Sequence, residues 1–391
     1  MDTGTLVATH HASIDSIEAA GWNALDAGGV PFLRHEFLAA LEHSGAVGPG
    51  TGWTPCHVTV HAGLELVGAM PLYAKAHSWG EFVFDFSWAD AYRRHGSAYY
   101  PKLVNATPFT PATGKRLLLR PGSDAPALRR VLATAAFEGS PQASSLHVQF
   151  ATAEEAGWLE SEGFLMRLDC QFHWQNRGYG DFDDFLGSFT AEKRKKAKRE
   201  RRRVQEAGVS FAMRLGGELS EREWQRVYAL HASTFHRHGH EPYLNAAFFA
   251  EVSAHPAVAP RVLLALHGAE IIATAIFFQG RDTLYGRYWG AAGEFHSLHF
   301  EACYHQGIEH CIREGLQSFE PGTQGEHKIA RGFSPTLTHS AHLIRDARFS
   351  GAISRYLGEE RAAIRAYAAD ASRHVPYRTE APLPDLAPDD A

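Results

Sequence analysis

Residues 284–342 read LYGRYWGAAGEFHSLHFEACYHQGIEHCIREGLQSFEPGTQGEHKIARGFSPTLTHSAH. Apolar and aromatic residues up to Gly290 predict a strand. A short loop leads to Ser297, an N-cap residue type, and a helix is expected from there to about Glu314. Tyr304, Ile308, Cys311 and Ile312 fall at i, i+4, i+7 and i+8 and mark its buried face. Leu316 to Glu320 reads as a second strand, and Pro321 to Thr338 as a loop punctuated by glycine and proline. That loop gathers Gln324, Glu326, His327, Lys328 and Arg331. Polar groups of several chemistries, held on glycine-rich backbone just after a strand, are what a reaction site at a sheet end uses. An ordered surface loop is the plainer alternative.

Working outward, 391 residues with 45% hydrophobic and 21% charged content describe a globular chain, with two domains as the soft expectation. No apolar run approaches the ~18 residues of a membrane helix. The first twenty residues lack a basic start followed by an apolar block, so no secretory leader is expected. Cys56, Cys170, Cys303 and Cys311 are scattered without a CxxC pair, against both a zinc site and a disulfide framework. A reducing cytoplasm is the expected compartment.

The first half begins with a helix-like stretch, Ile14 to Leu25. Pro31 then opens PFLRHEFLAALEHSG, a second helix stopped by Gly45. His57–His61 and Leu64–Tyr73 read as strands joined by a tight turn. A long segment dense in aromatics, glycines and charges follows, of the kind that is often functional. Ala125–Glu138 reads as a helix, Leu146–Phe150 as a strand, Thr152–Glu162 as a helix, and a strand runs on through Phe172 and Trp174.

The second half repeats this plan. PYLNAAFFAEV from Pro242 overlays on PFLRHEFLAAL from Pro31, and each precedes a hairpin: HVTVHAGLELVGAMPLY in one half, VLLALHGAEIIATAIFF in the other. The expectation is an internal duplication of one α/β unit of ~180 residues. It divides the chain into 1–185 and 186–375, followed by an acidic, proline-rich tail over 376–391 that frays.

Between the halves lies Lys193–Arg203, KRKKAKRERRR, with nine basic residues and one acid, Glu200, in a chain whose net charge is −6. A helix over 193–208 is expected to open the second unit. Its cations fall on every helical face, so no side of it should bury in an apolar core. Lys195, Lys196, Arg199 and Arg202 are candidates for binding RNA or another polyanion, with a solvated interdomain helix as the alternative.

The order helix, antiparallel meander, helix, strand, closing loop resembles the GNAT acyltransferase fold. Two such units with a basic helix opening the second resemble the FemAB-type aminoacyltransferases. The chain as a whole is similar to a bacterial FemAB-like family of GNAT-superfamily N-acyltransferases, often described as peptidoglycan-biosynthesis proteins. PLYAKAHSWGEFVFD, YYPKL, PFTPATGKR, YGRYWG, LHFEACYHQGIE and FEPGTQGEHKIARGF carry the resemblance, which spans most of residues 30 to 345. It implies a tandem GNAT-like α/β fold with mostly antiparallel mixed sheets. It also implies transfer of an acyl or aminoacyl group to an amine, on a cell-wall precursor or small metabolite. The co-substrate would be aminoacyl-tRNA or acyl-coenzyme A, with no tightly held cofactor. A non-catalytic protein that holds ligand or nucleic acid on the same scaffold is the rival reading.

Acyl transfer needs a polarised carbonyl and a deprotonated amine. Lys328 is the candidate for the first role, and it also resembles the essential lysine of FemAB-type enzymes. Glu326 and His327 are candidates for accepting the amine proton. Glu301 and His305, at i and i+4, could form a second acid–base pair or, with His299, bind a metal, although no metal is expected. Arg287 to Ala292 resembles the R-x-x-G-x-A pyrophosphate loop of GNAT enzymes, but residues 293–296 intervene before the helix, where such a loop should run straight into it. Arg287, Tyr288, Gln324 and Arg331 are expected to touch substrate. In the first half Tyr99, Tyr100, Lys102, Asp85 and Trp88 suggest an aromatic-lined acceptor groove, with core packing as the alternative for the tyrosines.

Overall fold

The computed structural model describes residues 5–323 and 325–378. The chain forms two compact units, each built from separate stretches. Unit 1 takes the residues up to Asp169 and then Thr338–Ile364; unit 2 takes Cys170–Leu337 and the residues from Arg365 onward. A single cut near 185/186 therefore does not describe the division.

Unit 1 opens with β1 (Leu6–His11). In place of one helix over 14–25 there is a 3-10 turn and then α1 (Ala19–Asn23). Ser13 caps the first through Asp15 N and Glu18 caps the second through Gly21 N, so two nearby caps split the stretch. Pro31 starts only a 3-10 turn, because Arg34 is extended, and α2 runs His35–His43. Then come β2 (Trp53–Pro55), β3 (His57–Ala62), β4 (Glu65–Met70) and β5 (Tyr73–Lys75). Pro71, which has no N–H to give a ladder, separates the last two where one strand is expected. The long aromatic segment contains α3 (Phe86–Arg94), β6 (Lys102–Asn105) and β7 (Leu118–Leu119). Next are α4 (Ala125–Glu138), β8 (Ser145–Ala151), α5 (Ala153–Ser161) and β9 (Leu165–Gln175), which runs into unit 2.

Unit 2 continues with α6 (Phe182–Gly187), the basic α7 (Ala191–Glu206), β10 (Val209–Leu215), α8 (Glu221–Arg237) and α9 (Ala246–Ala254). The meander β11 (Arg261–His267), β12 (Glu270–Gln279) and β13 (Thr283–Ala291) follows. The next helix starts as α10 (Leu298–Phe300), passes through a π-helical turn at Glu301–His305 and continues as α11 (Gln306–Glu314). Ser297 does not cap it: its φ is +65° and its side chain makes no cap bond. The chain then forms β14 (Ser318–Glu320), β15 (Ser334–Ile344), which runs back into unit 1, and α12 (Ala347–Ser372).

The two units are repeats. In each, a helix of nine residues begins four residues after the matched proline, α2 after Pro31 and α9 after Pro242. In each, an antiparallel hairpin follows, β3–β4 or β11–β12, turning at Gly63 or Gly268 with φ of +61° and +60°. Each hairpin slips register after the residue three before that glycine, Val60 in one and Ala265 in the other. A first strand pairs antiparallel on the hairpin in both, β1 on β3 and β10 on β11. A later strand pairs in parallel with the strand after the helix, β6 with β8 and β13 with β14.

Each sheet is completed by a strand remote in sequence. Residues 338–344 of β15 supply the antiparallel neighbour of β8, and residues 170–175 of β9 supply that of β14. That reciprocal supply of strands is why a contiguous boundary fails. Unit 1 packs Val58, Val60, Leu103, Leu132, Leu146 and Ala341 into one core. Unit 2 packs Trp174, Phe185, Phe189, Ile308, Phe319 and Phe333 into another. Of the expected tail, residues 379–391 lie outside the described residues, but 376–378 are tied down in unit 2. Tyr377 is buried and donates its hydroxyl hydrogen bond to Gly332 O, and Arg378 N bonds Ser188 O.

Candidate functional site

The site in unit 2 begins with an irregularity in β13. Ile276 pairs with Tyr288 and Phe277 with Gly286, so Arg287 is the extra residue of a bulge, a device that re-aims a side chain. A Cβ on Gly290 would lie 2.0 Å from Leu230 O, so that glycine serves the close packing of α8 on the strand. The residues expected to form a pyrophosphate loop are thus strand residues, and no helix N-terminus follows them directly. Beyond the strand, the π-helical turn adds a residue to one turn, a local change common at functional sites. Arg287, Tyr288, Trp289, His299, Cys303 and Tyr304 line a cavity of about 170 Å³.

Pro321, which follows β14, also lines it, and Gly286 packs on the Pro321 backbone. The loop then winds into a 3-10 helix, Glu326–Arg331, flanked by Gly325 and Gly332 in positive-φ conformations. Lys328 on this turn is 2% exposed, and its Nζ donates to Gly322 O at 2.5 Å. Burial pulls its pKa down to about 7, with Cys303 opposing weakly. His173 of β9 is buried too, and its pKa falls to about 3 through burial and the Lys328 charge. His327 Nε2 shares a 2.8 Å hydrogen bond with Tyr304 Oη, and burial followed by Lys328 lowers its pKa. Lys328 and His327 thus flank the cavity through Pro321–Gly322 and Tyr304.

Other candidates have different tasks. Arg331 is 6% exposed; it donates to His327 O at 2.7 Å and to both Glu200 oxygens at 2.9 and 3.0 Å, and lies 3.5 Å over the Phe300 ring. It braces the loop rather than presenting itself to a substrate. Glu326 is exposed and accepts from Tyr367 Oη at 2.8 Å. Gln324 lies outside the described residues. Glu301 and His305 do pair, at 3.0 Å, but Glu301 also takes Arg201 at 3.1 Å and Gln306 at 2.8 Å. That pair faces α7, away from His299, whose ring packs on Trp289 and Tyr304.

The basic helix buries a narrow seam after all. Ala197 and Val204, seven residues apart, are in the core, and Arg201 lies 4.1 Å over the Phe182 ring and bonds Glu309. Between Lys193 and Val204 the uncharged residues are Ala197 and Val204, and the acid among the bases, Glu200, is the partner of Arg331. Lys195, Lys196, Arg199 and Arg202 are exposed and make no ion pair among the described residues.

In unit 1 the expected groove is a closed ionic cluster. Lys102 is fully buried, 2.8 Å from Glu81 and in contact with Asp85 and Ser78. Burial alone would lower its pKa, but the Glu81 and Asp85 carboxylates raise it. Tyr99 Oη donates to Asp85 at 2.6 Å, and Tyr100 and Asp85 both bond Ser78. His147 and His342 share a 2.6 Å bond between their Nδ1 atoms, with Trp88 packed against both rings. Asp85, Trp88, Tyr99 and Lys102 are therefore interior residues, with Lys102 held between Asp85 and Glu81, whose own pKa is raised by burial.

Sequence reasoning missed Cys303 and His173 beside Lys328, and Glu81, His147, Gln149 and His342 around Lys102. A signal existed for some of them. Ser145, His147 and Gln149 alternate with Leu146, Val148 and Phe150, which marks a polar strand face, and all three prove buried.

These features define a tandem GNAT-like α/β protein. The chain belongs to the FemAB-like family, described as peptidoglycan biosynthesis/recognition, whose profile matches residues 13–379. No curated protein sequence matches it. The crystal structure of FemX is similar at 12% identity, covering 89% of this chain and 100% of FemX with a TM-score of 0.50. L-PGS from Bacillus licheniformis is similar at 10% identity over 83% of this chain and 96% of that one, with a TM-score of 0.51. A tandem GNAT protein from the clavulanic acid biosynthesis pathway aligns at 11% identity over 87% and 98%, with a TM-score of 0.46. At these identities the likeness is one of fold. Among the described residues no helix is long and apolar enough to cross a membrane.

Proposed function

We propose that unit 2 transfers an acyl or aminoacyl group to the amine of a cell-wall precursor, with Lys328 at the reacting carbonyl. The observation that carries this reading is a lysine 2% exposed, near neutral pKa, whose Nζ has one backbone carbonyl as its hydrogen-bond partner among the described residues. Burying a lysine without a carboxylate partner is costly. Lys75 of unit 1 shares that trait, but its Nζ is also covered by the Trp53 ring at 3.6 Å. Membership of a family described by peptidoglycan biosynthesis/recognition supports the acceptor class. We favour aminoacyl-tRNA over acyl-coenzyme A as donor. The exposed cations of α7 suit a polyanion, and the strand geometry of Arg287–Ala291 lacks a phosphate-binding helix start. Such a donor implies action in the cytoplasm.

In this reading the acceptor nitrogen attacks the ester carbonyl carbon. Charged Lys328 turns from Gly322 O and donates to the oxygen on which negative charge builds. His327, held by Tyr304, accepts the proton shed by the amine. The C–N bond forms, the C–O bond to the ribose breaks, and the leaving ribose oxygen takes the proton held on His327.

The test is mass spectrometry of product from the purified chain, charged tRNA and an amine-bearing precursor, beside an acyl-coenzyme A arm. Lys328→Ala should lower turnover ~100- to 1,000-fold. Full turnover by that variant would remove this loop as the site. Retention of tRNA or precursor by the unaltered protein without any product would favour a binding protein instead.

A further inference from the structure

A different cavity in unit 2, about 690 Å³, is bounded by the 3-10 turn at Gly216–Glu218 and by α8 and α9. Its volume is that of a small-molecule site. One wall is aromatic: Trp224 and Phe249 stack at 5.6 Å and 25°, with Tyr228 beside them. Small residues, among them Ala246, Ala250 and Ala254, also line it. Glycine is required at its floor, since a Cβ on Gly216 would lie 2.5 Å from Ser253 Oγ and one on Gly217 2.9 Å from Ser253 O. The Ser253 Oγ is buried and has no hydrogen-bond partner among the described residues. Of all the residues lining the cavity, Glu221 is the one that carries charge; it is exposed, and Gln225 bonds its carboxylate at 3.2 Å.

We propose that this cavity binds an aliphatic chain bearing a basic nitrogen. A slot lined by aromatic rings and alanines takes methylene groups, which gain from leaving water and need no hydrogen bonds. The single carboxylate at the rim attracts a cationic head and repels an acid. A flat polar ligand would leave its own groups unpaired against these walls. Phe249 also packs edge-on to Tyr288 at 6.0 Å, and Tyr288 lines the cavity beside Lys328. The occupant is thus separated from the reaction cavity by one aromatic layer. Only its identification with the amine acceptor, or with a lipid part of it, rests on the transfer reading.

Full-length protein is titrated with n-alkylamines of eight to twelve carbons, below their micelle concentrations, and with fatty acids of equal length. Affinity for the amines should rise about fourfold per added methylene. The acids should bind several-fold more weakly, and Glu221→Gln should erase that preference while keeping the chain-length dependence. A brominated chain should quench tryptophan fluorescence, and Trp224→Phe should remove most of the quench. Ala250→Trp should fill the slot and abolish binding; its thermal melt and Lys328-dependent turnover show whether it folds. Lys328→Ala should bind the amines unchanged, so failure of the transfer reading appears separately. Affinity independent of chain length, quenching that survives Trp224→Phe, or acids binding better than amines would each overturn the proposal. So would an absence of alkyl binding, which would leave the slot to a peptide or a second copy.

Discussion

Lys102 of unit 1 and Lys328 of unit 2 are both buried and are solvated by the protein in opposite ways. Lys75, the other buried lysine of unit 1, resembles Lys328 in donating to a backbone carbonyl, Trp79 O at 3.2 Å, but its Nζ also lies 3.6 Å over the Trp53 ring. In unit 1, Lys102 meets two carboxylates, Glu81 and Asp85, and stays charged. In unit 2, the Gly322 carbonyl is the one hydrogen-bond partner of Lys328 Nζ among the described residues, and burial brings its pKa down to about 7. The scaffolds are repeats, so the difference lies in what the loops add. Unit 1 inserts 76–101 between β5 and β6, and that insertion supplies both acids. Unit 2 supplies a short 3-10 turn with no acid aimed inward: Glu326 faces solvent and Tyr367. A paired lysine is a structural element. An unpaired one retains a proton that can move and a charge that a substrate can use.

The largest expected effect breaks the paired side. Lys102→Met should destabilise the protein by about 3–5 kcal/mol, because it leaves Glu81 and Asp85 buried without their cation. Lys328→Met should be neutral or stabilising, since it removes a buried charge that has no carboxylate partner among the described residues. Denaturant melts of both variants decide this. Equal losses would mean that the two lysines are alike and that Lys328 is structural.

Much of the scaffold is legible in the sequence. The matched prolines and hairpins announce the repeat, and α4 starts and ends where its capped, periodic stretch does. The strand exchange is not legible, because β9 and β15 have the same apolar alternation whichever unit they complete. The loop chemistry is half legible. Lys328 and His327 sit among glycines in the sequence, yet nothing there tells Arg331 apart from them. Its role depends on Glu200, 131 residues away, which looks like an accident in a cationic run. Lys102 and Asp85 are visible as polar residues among aromatics. Their mutual burial is a tertiary fact, and a groove and an ion cluster have the same composition.

A smaller effect is read from pH. The Lys328 pKa is lowered from 10.5 to about 7 by burial, so between those values the unfolded chain binds the proton that the folded chain has released. Stability should therefore rise with pH from about 7 to 10.5, by up to about 1.4 kcal/mol per unit from this group, and be flat in its contribution below 7. Lys75 of unit 1, also brought to about 7 by burial, adds a slope of the same sign. Lys328→Met should reduce the rise, and Lys75→Met should reduce it again. A rise unchanged in Lys328→Met would place the ammonium in water.

The exposed face of α7 is tested by salt. Replacing Lys195, Lys196, Arg199 and Arg202 with Gln should weaken tRNA binding at low salt and flatten the log–log salt slope by roughly 3, if each cation meets a phosphate of a single strand. Folding should be unaffected, since the buried seam of Ala197 and Val204 is kept. Unchanged affinity with an unchanged slope would leave the helix a solvated brace and remove the argument for an RNA donor.

The smallest effect concerns the acid in that helix. Glu200 joins α7 to the Lys328 loop through Arg331, and the same guanidinium holds His327 O. Glu200→Gln keeps an acceptor but loses the charge that strengthens the bond, so the loop should loosen without unfolding. A loss of about 1 kcal/mol corresponds to roughly fivefold in turnover. The loss should fall on kcat, because the residue touches neither donor nor acceptor in this geometry. Adding Glu200→Gln to Arg331→Gln should cost little beyond Arg331→Gln alone, since the Glu200 contact is already lost with the guanidinium. If Glu200→Gln instead raises only KM for the donor, Glu200 belongs to the polyanion face, and the loop that holds Lys328 is ordered without it.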